Sequence, residues 1–108
     1  MPVVLPRLAG RAEATAAAET LKAVAHPLRL RLVALLAERD HSVRELAEAL
    51  EHGQAIVSQQ LRILRMARLV TAEPRGGFVY YRLVEPQLKK LVGCMERCHA
   101  LRSLPSGG

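Results

Sequence analysis

Apolar residues recur at helical spacing from Arg11 as far as Leu69, give way to two β-prone runs, and return to helical spacing after Pro86. The most ordered part of this pattern is Ser42 to Leu69. Ser42-Val43-Arg44-Glu45 has the S-x-x-E form of a capping box, which predicts a helix from Val43. That helix is apolar at Leu46, Ala47 and Leu50 and runs out at Glu51-His52-Gly53. A second helix is expected from about Gln54. It carries Val57, Leu61 and Leu64 at i, i+4, i+7, and at about 100° per residue these three share one side. Ala55, Ser58, Gln59 and Arg62 share the opposite side, a face of small and amide residues with an arginine and no acid.

The rest of the chain surrounds this pair. Arg11 to Val24 is Ala-rich with Glu13, Glu19 and Lys22, a composition that predicts helix. His26-Pro27 stops it, and Pro27 fits the first turn of a further helix, Leu28 to Glu38. There Leu28, Leu32, Leu35 and Leu36 are expected to face inward, with Arg29 and Arg31 on the other faces. Arg39-Asp40-His41 reads as a turn. Val70 to Glu73 and Phe78 to Leu83 flank the turn cluster Pro74-Arg75-Gly76-Gly77 and predict a β-hairpin. Pro86 opens a last helix to about Leu101, with an apolar stripe of Leu88, Leu91, Val92 and Met95. The expected fold is mainly α with a small β-hairpin: a winged helix-turn-helix with extra N- and C-terminal helices forming a dimer interface. Residues 11–102 make the domain, and Met1 to Gly10 and Ser103 to Gly108, punctuated by Pro, Gly and Ser, are expected to be loose tails.

Composition narrows this reading. A chain of 108 residues, half of them apolar, folds as one small domain with a modest core. Phe78, Tyr80 and Tyr81 are its only aromatics, so there is little bulk to pack and a homodimer is expected. Sixteen Lys and Arg against ten Asp and Glu give a net charge of +6, which suits nucleic acid but also occurs in proteins that bind none. No apolar run approaches the roughly 20 residues that span a bilayer, so no membrane partner is expected. Two cysteines without an export signal point to the cytoplasm.

Placement of charge carries more information than its sum. Small residues let a helix approach the floor of a major groove, and Gln and Arg can read base edges there. The candidate DNA-binding residues are Arg44, Gln54, Ala55, Ser58, Gln59, Arg62, Arg65 and Arg75, and the expected partner is double-stranded DNA. A merely solvated helix face is the plain alternative, and a winged-helix protein-interaction module is another use of the same surface. An enzyme is not expected. Cys98 and His99 diverge by about 100° on a helix and cannot form a dyad within one chain, and no phosphate loop, carboxylate pair or nucleophile motif is present.

Four stretches resemble the ArsR/SmtB family of dimeric winged-helix repressors. His26-Pro27-Leu28-Arg29-Leu30-Arg31-Leu32-Val33-Ala34-Leu35-Leu36 is similar to the family's D-P-x-R-L-x-I-L-x-L-L helix. Ser42-Val43-Arg44-Glu45-Leu46-Ala47 resembles its first DNA-reading helix, and Val57-Ser58-Gln59-Gln60-Leu61-Arg62-Ile63-Leu64-Arg65 its V-S-x-H-L-x-x-L-R. Gly76 and Val79-Tyr80-Tyr81-Arg82-Leu83 resemble its wing. The likeness covers most of residues 20 to 83. It implies a homodimer formed by the terminal helices on a two-fold symmetric operator, released by ligand binding or thiol chemistry. Here Gln60 stands where the family usually has His, Arg68 for the glycine of A-G-L-V, Gly53 for the usual Ser cap, and Gly77 where a wing arginine is common.

The family's sensing sites carry over unevenly. The arsenic-type C-x-C falls on Ala47 and Ala49, and the first cysteine of the persulfide-type pair on Ala34. The zinc-type positions fall on Glu85, Gln87, Cys98 and Leu101, of which two could bind metal. Cys94 and Cys98 remain, an i, i+4 pair whose β-carbons stand about 6 Å apart, wider than the roughly 4 Å of a disulfide. A soft ion bridging two thiolates suits that spacing. The candidate inducer is therefore As(III) or another thiophilic metal ion at Cys94 and Cys98, with no cofactor needed for folding. As(III) favours three sulfurs, and the third ligand would come from a partner-subunit cysteine, a small thiol or, as a nitrogen donor, His99. Oxidation or persulfide chemistry between subunits, constitutive binding, and cysteines serving only as small interface hydrophobes are the other readings. His26, His41 and His52 are read as turn positions.

Overall fold

Every predicted helix forms, and the ends of each follow from local chemistry. The computed structural model describes residues 6–102, with side chains as far as residue 98. The expected tail at Ser103 to Gly108 and the first half of that at Met1 to Gly10 lie outside the described residues; Arg7–Ala9 make one 3-10 turn. Helix α1 is Arg11–Val24 and α2 is Pro27–Glu38. Between them His26 Nδ1 accepts the Leu28 N–H at 3.2 Å, capping α2 with Pro27 in its first turn.

A two-residue strand β1, His41–Ser42, precedes α3, Val43–Leu50. The capping box is complete. Ser42 Oγ accepts the Glu45 N–H at 3.2 Å, and Glu45 Oε1 accepts the Ser42 N–H at 2.8 Å. Helix α3 ends on Glu51 in the left-handed region, φ 56°, with the His52 N–H donating to Ala47 O. Helix α4 follows at Gln54–Met66, then strands β2, Val70–Arg75, and β3, Phe78–Leu83, and finally α5, Pro86–Arg102.

The three strands form one antiparallel sheet in the order β1-β3-β2. His41 lies opposite Tyr81 and Ser42 opposite Tyr80, while β2 and β3 pair from Val70–Leu83 to Arg75–Phe78. The core is filled by Leu32 and Val33 of α2, Leu46 of α3, and Val57, Leu61 and Leu64 of α4, all fully buried. Leu88 and Val92 bury α5 against this cluster, and Tyr81 and Leu83 close it from the sheet.

Local pattern and structure part in four places. The expected turn at Arg39-Asp40-His41 includes a strand residue, because His41 is held by pairing to β3 and by its Nδ1 against Arg39 O at 2.8 Å. The hairpin turn is tighter than the Pro74-to-Gly77 cluster. Pro74 and Arg75 belong to β2, an edge strand that tolerates proline, and Gly76 and Gly77 alone make the loop, at φ 54° and 88°. Two consecutive positive φ values are those of a type I′ turn, which matches strand twist and which glycine adopts without strain. Arg29 does not sit on an outer face but turns inward to polar partners. The α5 stripe is split: Leu88 and Val92 are buried, whereas Leu91 and Met95 are exposed.

Arg68, which replaces a family glycine, has φ 62°. An L-residue pays for the left-handed region through its β-carbon. Arg68→Gly is therefore expected to stabilise the fold by roughly 0.5–1 kcal/mol, seen as a rise in Tm of about 3–6 °C by calorimetry.

Candidate nucleic-acid interface and thiol pair

The helix-turn-helix presents its outer face because its inner face is so fully used. Val57, Leu61 and Leu64 are wholly buried, which fixes the roll of α4 and turns Ala55, Ser58, Gln59 and Arg62 to solvent. Thirteen residues make α4 about 20 Å long, against a major groove about 12 Å wide. Gly53 supplies no side-chain cap, so the first-turn N–H groups, Gln54 included, are open. Arg65 is exposed on the last turn. Among the described residues, Arg62 and Arg65 make no ion pair.

The other two candidate arginines are engaged within the protein. Arg44 meets Glu48 at 3.4 Å, one turn along α3, with both side chains some two-thirds exposed. Such a pair is worth only a few tenths of a kcal/mol and does not withhold Arg44 from a partner. Arg75 is held harder. Its Nη2 donates to Asp40 Oδ2 at 2.6 Å and to Glu73 Oε2 at 2.9 Å, and its guanidinium lies 5.2 Å from the centre of the Tyr80 ring. Arg82 donates to the same Asp40 oxygen from Nε and Nη2, at 3.3 and 3.2 Å. Asp40 thus pins the hairpin to the α2–α3 junction. Sequence reasoning missed it, because no local spacing links position 40 to positions 75 and 82.

The Arg75 hydrogen bond, helped by Arg82, holds the Asp40 carboxyl below the usual carboxylate range against the opposing effect of burial. The same contact raises Arg75, and the Ser42 N–H lowers Glu45. A depressed carboxylate pKa stabilises the fold above its ordinary value of about 4 and loses that contribution as pH falls through the lower folded value. Amide-exchange protection in β2 and β3 is therefore expected to hold to about pH 4 and to drop below it. In Asp40→Asn that acid step shrinks to the part that Glu45 contributes.

The cysteines occupy a different face. Cys94 and Cys98 are free and exposed on α5, beside the exposed Leu91 and Met95. No group of three or more His, Cys, Asp or Glu side chains able to hold a metal ion occurs among the described residues. One chain thus offers a soft ion two sulfurs. Of the zinc-type positions, Glu85 Oε1 accepts the Gln87 N–H at 3.1 Å and caps the start of α5. The side chains of His99 and Leu101 lie outside those described. The described residues also contain no helix long and apolar enough to cross a membrane.

An α-helical pair with a capped first helix and an exposed second, followed by a hairpin wing, defines a winged helix-turn-helix protein. The chain belongs to the bacterial arsR family of regulatory proteins, whose pattern it matches over residues 26–72. It is 44% identical over 77 residues to the HTH-type transcriptional repressor SmtB of Mycobacterium tuberculosis, covering 71% of this chain and 57% of that protein. The chain therefore spans a little over half the length of that relative. The transcriptional repressor BigR of Xylella fastidiosa superposes with a TM-score of 0.79 at 34% identity, over 87% of this chain and 96% of that one. The antimony-specific transcriptional repressor AntR gives a TM-score of 0.77 at 28% identity, over 94% and 97% of the two chains. All three are named as repressors.

Proposed function

We propose that the chain is a DNA-binding transcriptional repressor, active as a homodimer on a two-fold symmetric operator and released when a thiophilic metalloid or soft metal ion binds Cys94 and Cys98. The single observation that carries the DNA reading is the division of α4, buried to completion on one side and acid-free, small and cationic on the other. Ala55 and Ser58 allow close approach, Gln59 and Arg62 supply donors for base edges, and Arg65 and Arg44 reach phosphate. The open N–H groups at Gln54 favour a phosphate at the start of α4. Arg75 joins only by leaving Asp40. The exposed Leu21, Leu91 and Met95 on the terminal helices are surfaces that a second copy would cover.

For the signal, support comes from the exposed thiol pair and from the likeness to a repressor named as antimony-specific. A bound soft ion supplies bonds to both sulfurs. The chain's own part is to lose two thiol protons, hold two turns of α5 together, and pass any shift to α2 through Leu88 and Val92. The test titrates purified protein on the DNA upstream of its own gene with As(III), Cd(II), Zn(II) and a persulfide donor, while counting free thiols. Release by As(III) or Cd(II) with loss of two thiols per chain, absent in Cys94→Ser and Cys98→Ser, is expected. Release by the persulfide donor alone assigns the site to thiol redox chemistry. Unchanged release in both variants removes the cysteines from sensing.

A further inference from the structure

Helix α4 owes its roll to apolar packing on α2 and α3, but its placement relative to α1 has a different origin. Between α1 and α4 lies an open cleft of about 520 Å³, with Ala16, Thr20 and Ala23 on one wall and Ile63 and Ala67 on the other. Small side chains on one wall and open space between leave little dispersion to hold the two helices in register. What spans the cleft is one half-buried side chain. Arg29 Nε donates to the backbone oxygen of Ala23, in the last turn of α1, at 2.6 Å, and Arg29 Nη1 donates to Gln60 Oε1 of α4 at 3.1 Å. Arg29 itself is anchored on α2, next to the buried Leu28. One planar guanidinium thus fixes three helices at a single point, a task for a rigid fork of donors and not for an ammonium. Gln60 belongs to the same helix as the outward face, yet it is half-buried and points away from that face. Its Oε1 is taken up by Arg29.

We propose that Arg29 is a positioning residue for DNA recognition: through Gln60 it sets where α4 stands relative to α1, and so where Gln59 and Arg62 meet the groove. This rests on the DNA-binding reading above. Base readout needs donors placed within about 0.5 Å, whereas attraction to phosphate tolerates looser geometry. Removing the Arg29–Gln60 bond should therefore weaken sequence-specific binding far more than binding to arbitrary duplex.

The experiment first uses the unaltered protein to select a preferred duplex from a random pool. It then measures affinity for that duplex and for a scrambled one in Arg29→Met, Arg29→Lys, Gln60→Met and Gln60→Glu. Gln60→Met removes only the bond and keeps the volume, so it answers the question even if Arg29→Met does not fold. Expected is a loss of about tenfold or more on the selected duplex in Gln60→Met and both Arg29 variants, with scrambled-duplex affinity within about threefold. Gln60→Glu, which keeps an acceptor for the guanidinium, is expected to stay within about threefold of the parent on both. Parent-like binding by Gln60→Met, or a parallel loss on both duplexes, overturns the proposal. Failure of the unaltered protein to select any duplex defeats the DNA-binding reading instead.

Discussion

Gln59→Ala combined with Arg62→Ala is expected to lower affinity for a preferred duplex by about a hundredfold or more, each well-placed base contact being worth roughly 1–3 kcal/mol. Affinity for arbitrary DNA should fall much less, because Arg44 and Arg65 still reach phosphate. Both side chains are exposed and neither is hydrogen-bonded to another described residue, so thermal stability should move by no more than about 0.5 kcal/mol. The pairing of these two outcomes is what matters. A variant that lost DNA and stability together would show that the two residues hold the fold, and anisotropy titrations beside calorimetry separate the cases. Ala55 and Ser58 add a steric form of the same test, since a bulky side chain at either position would hold α4 off the groove floor.

The second large effect is on the fold. Leu61 is fully buried at the centre of α4, and Leu61→Ala should cost about 2–5 kcal/mol through lost transfer free energy and the cavity left behind. Small domains have only about 5–15 kcal/mol in total, so the variant should melt about 15 °C lower and lose DNA binding because α4 is no longer held. Met66, on the same helix but 78% exposed, gives the contrast: Met66→Ala should change stability by less than about 0.5 kcal/mol. Denaturant titration of the pair reads the difference directly.

The helix-turn-helix could be read before any coordinates because its signals are local. The capping box Ser42/Glu45 needs four consecutive residues, and the buried face Val57/Leu61/Leu64 needs two turns of one helix. What escaped depends on partners distant in sequence. Strand β1 is two residues long and exists only through pairing with Tyr80 and Tyr81, so no periodicity announces it. Arg29 looked like a surface residue because charged side chains normally are, and only the cleft beside α1 and the Gln60 amide give it an inward home. The Asp40 clamp joins positions 35 and 42 residues apart. For α5 the 3.6-residue period groups Leu88, Leu91, Val92 and Met95 in one apolar stripe. A single chain buries only Leu88 and Val92, and a stripe wider than the core it meets is what a helix shared between two surfaces would show. Arg68 illustrates the reverse case: a departure from a family glycine, noticed in the sequence, whose consequence became visible only as a left-handed backbone.

The central claim is that α4 reads duplex DNA, and the most direct measurement is the affinity of the unaltered protein for a selected duplex and its scrambled counterpart across salt. With Arg44 and Arg65 from each of two protomers at phosphate, log K should fall against log salt with a slope of about −3.6. The selected duplex should bind at least about a thousandfold tighter than the scrambled one. Equal binding to both, with an affinity indifferent to salt, would contradict the account.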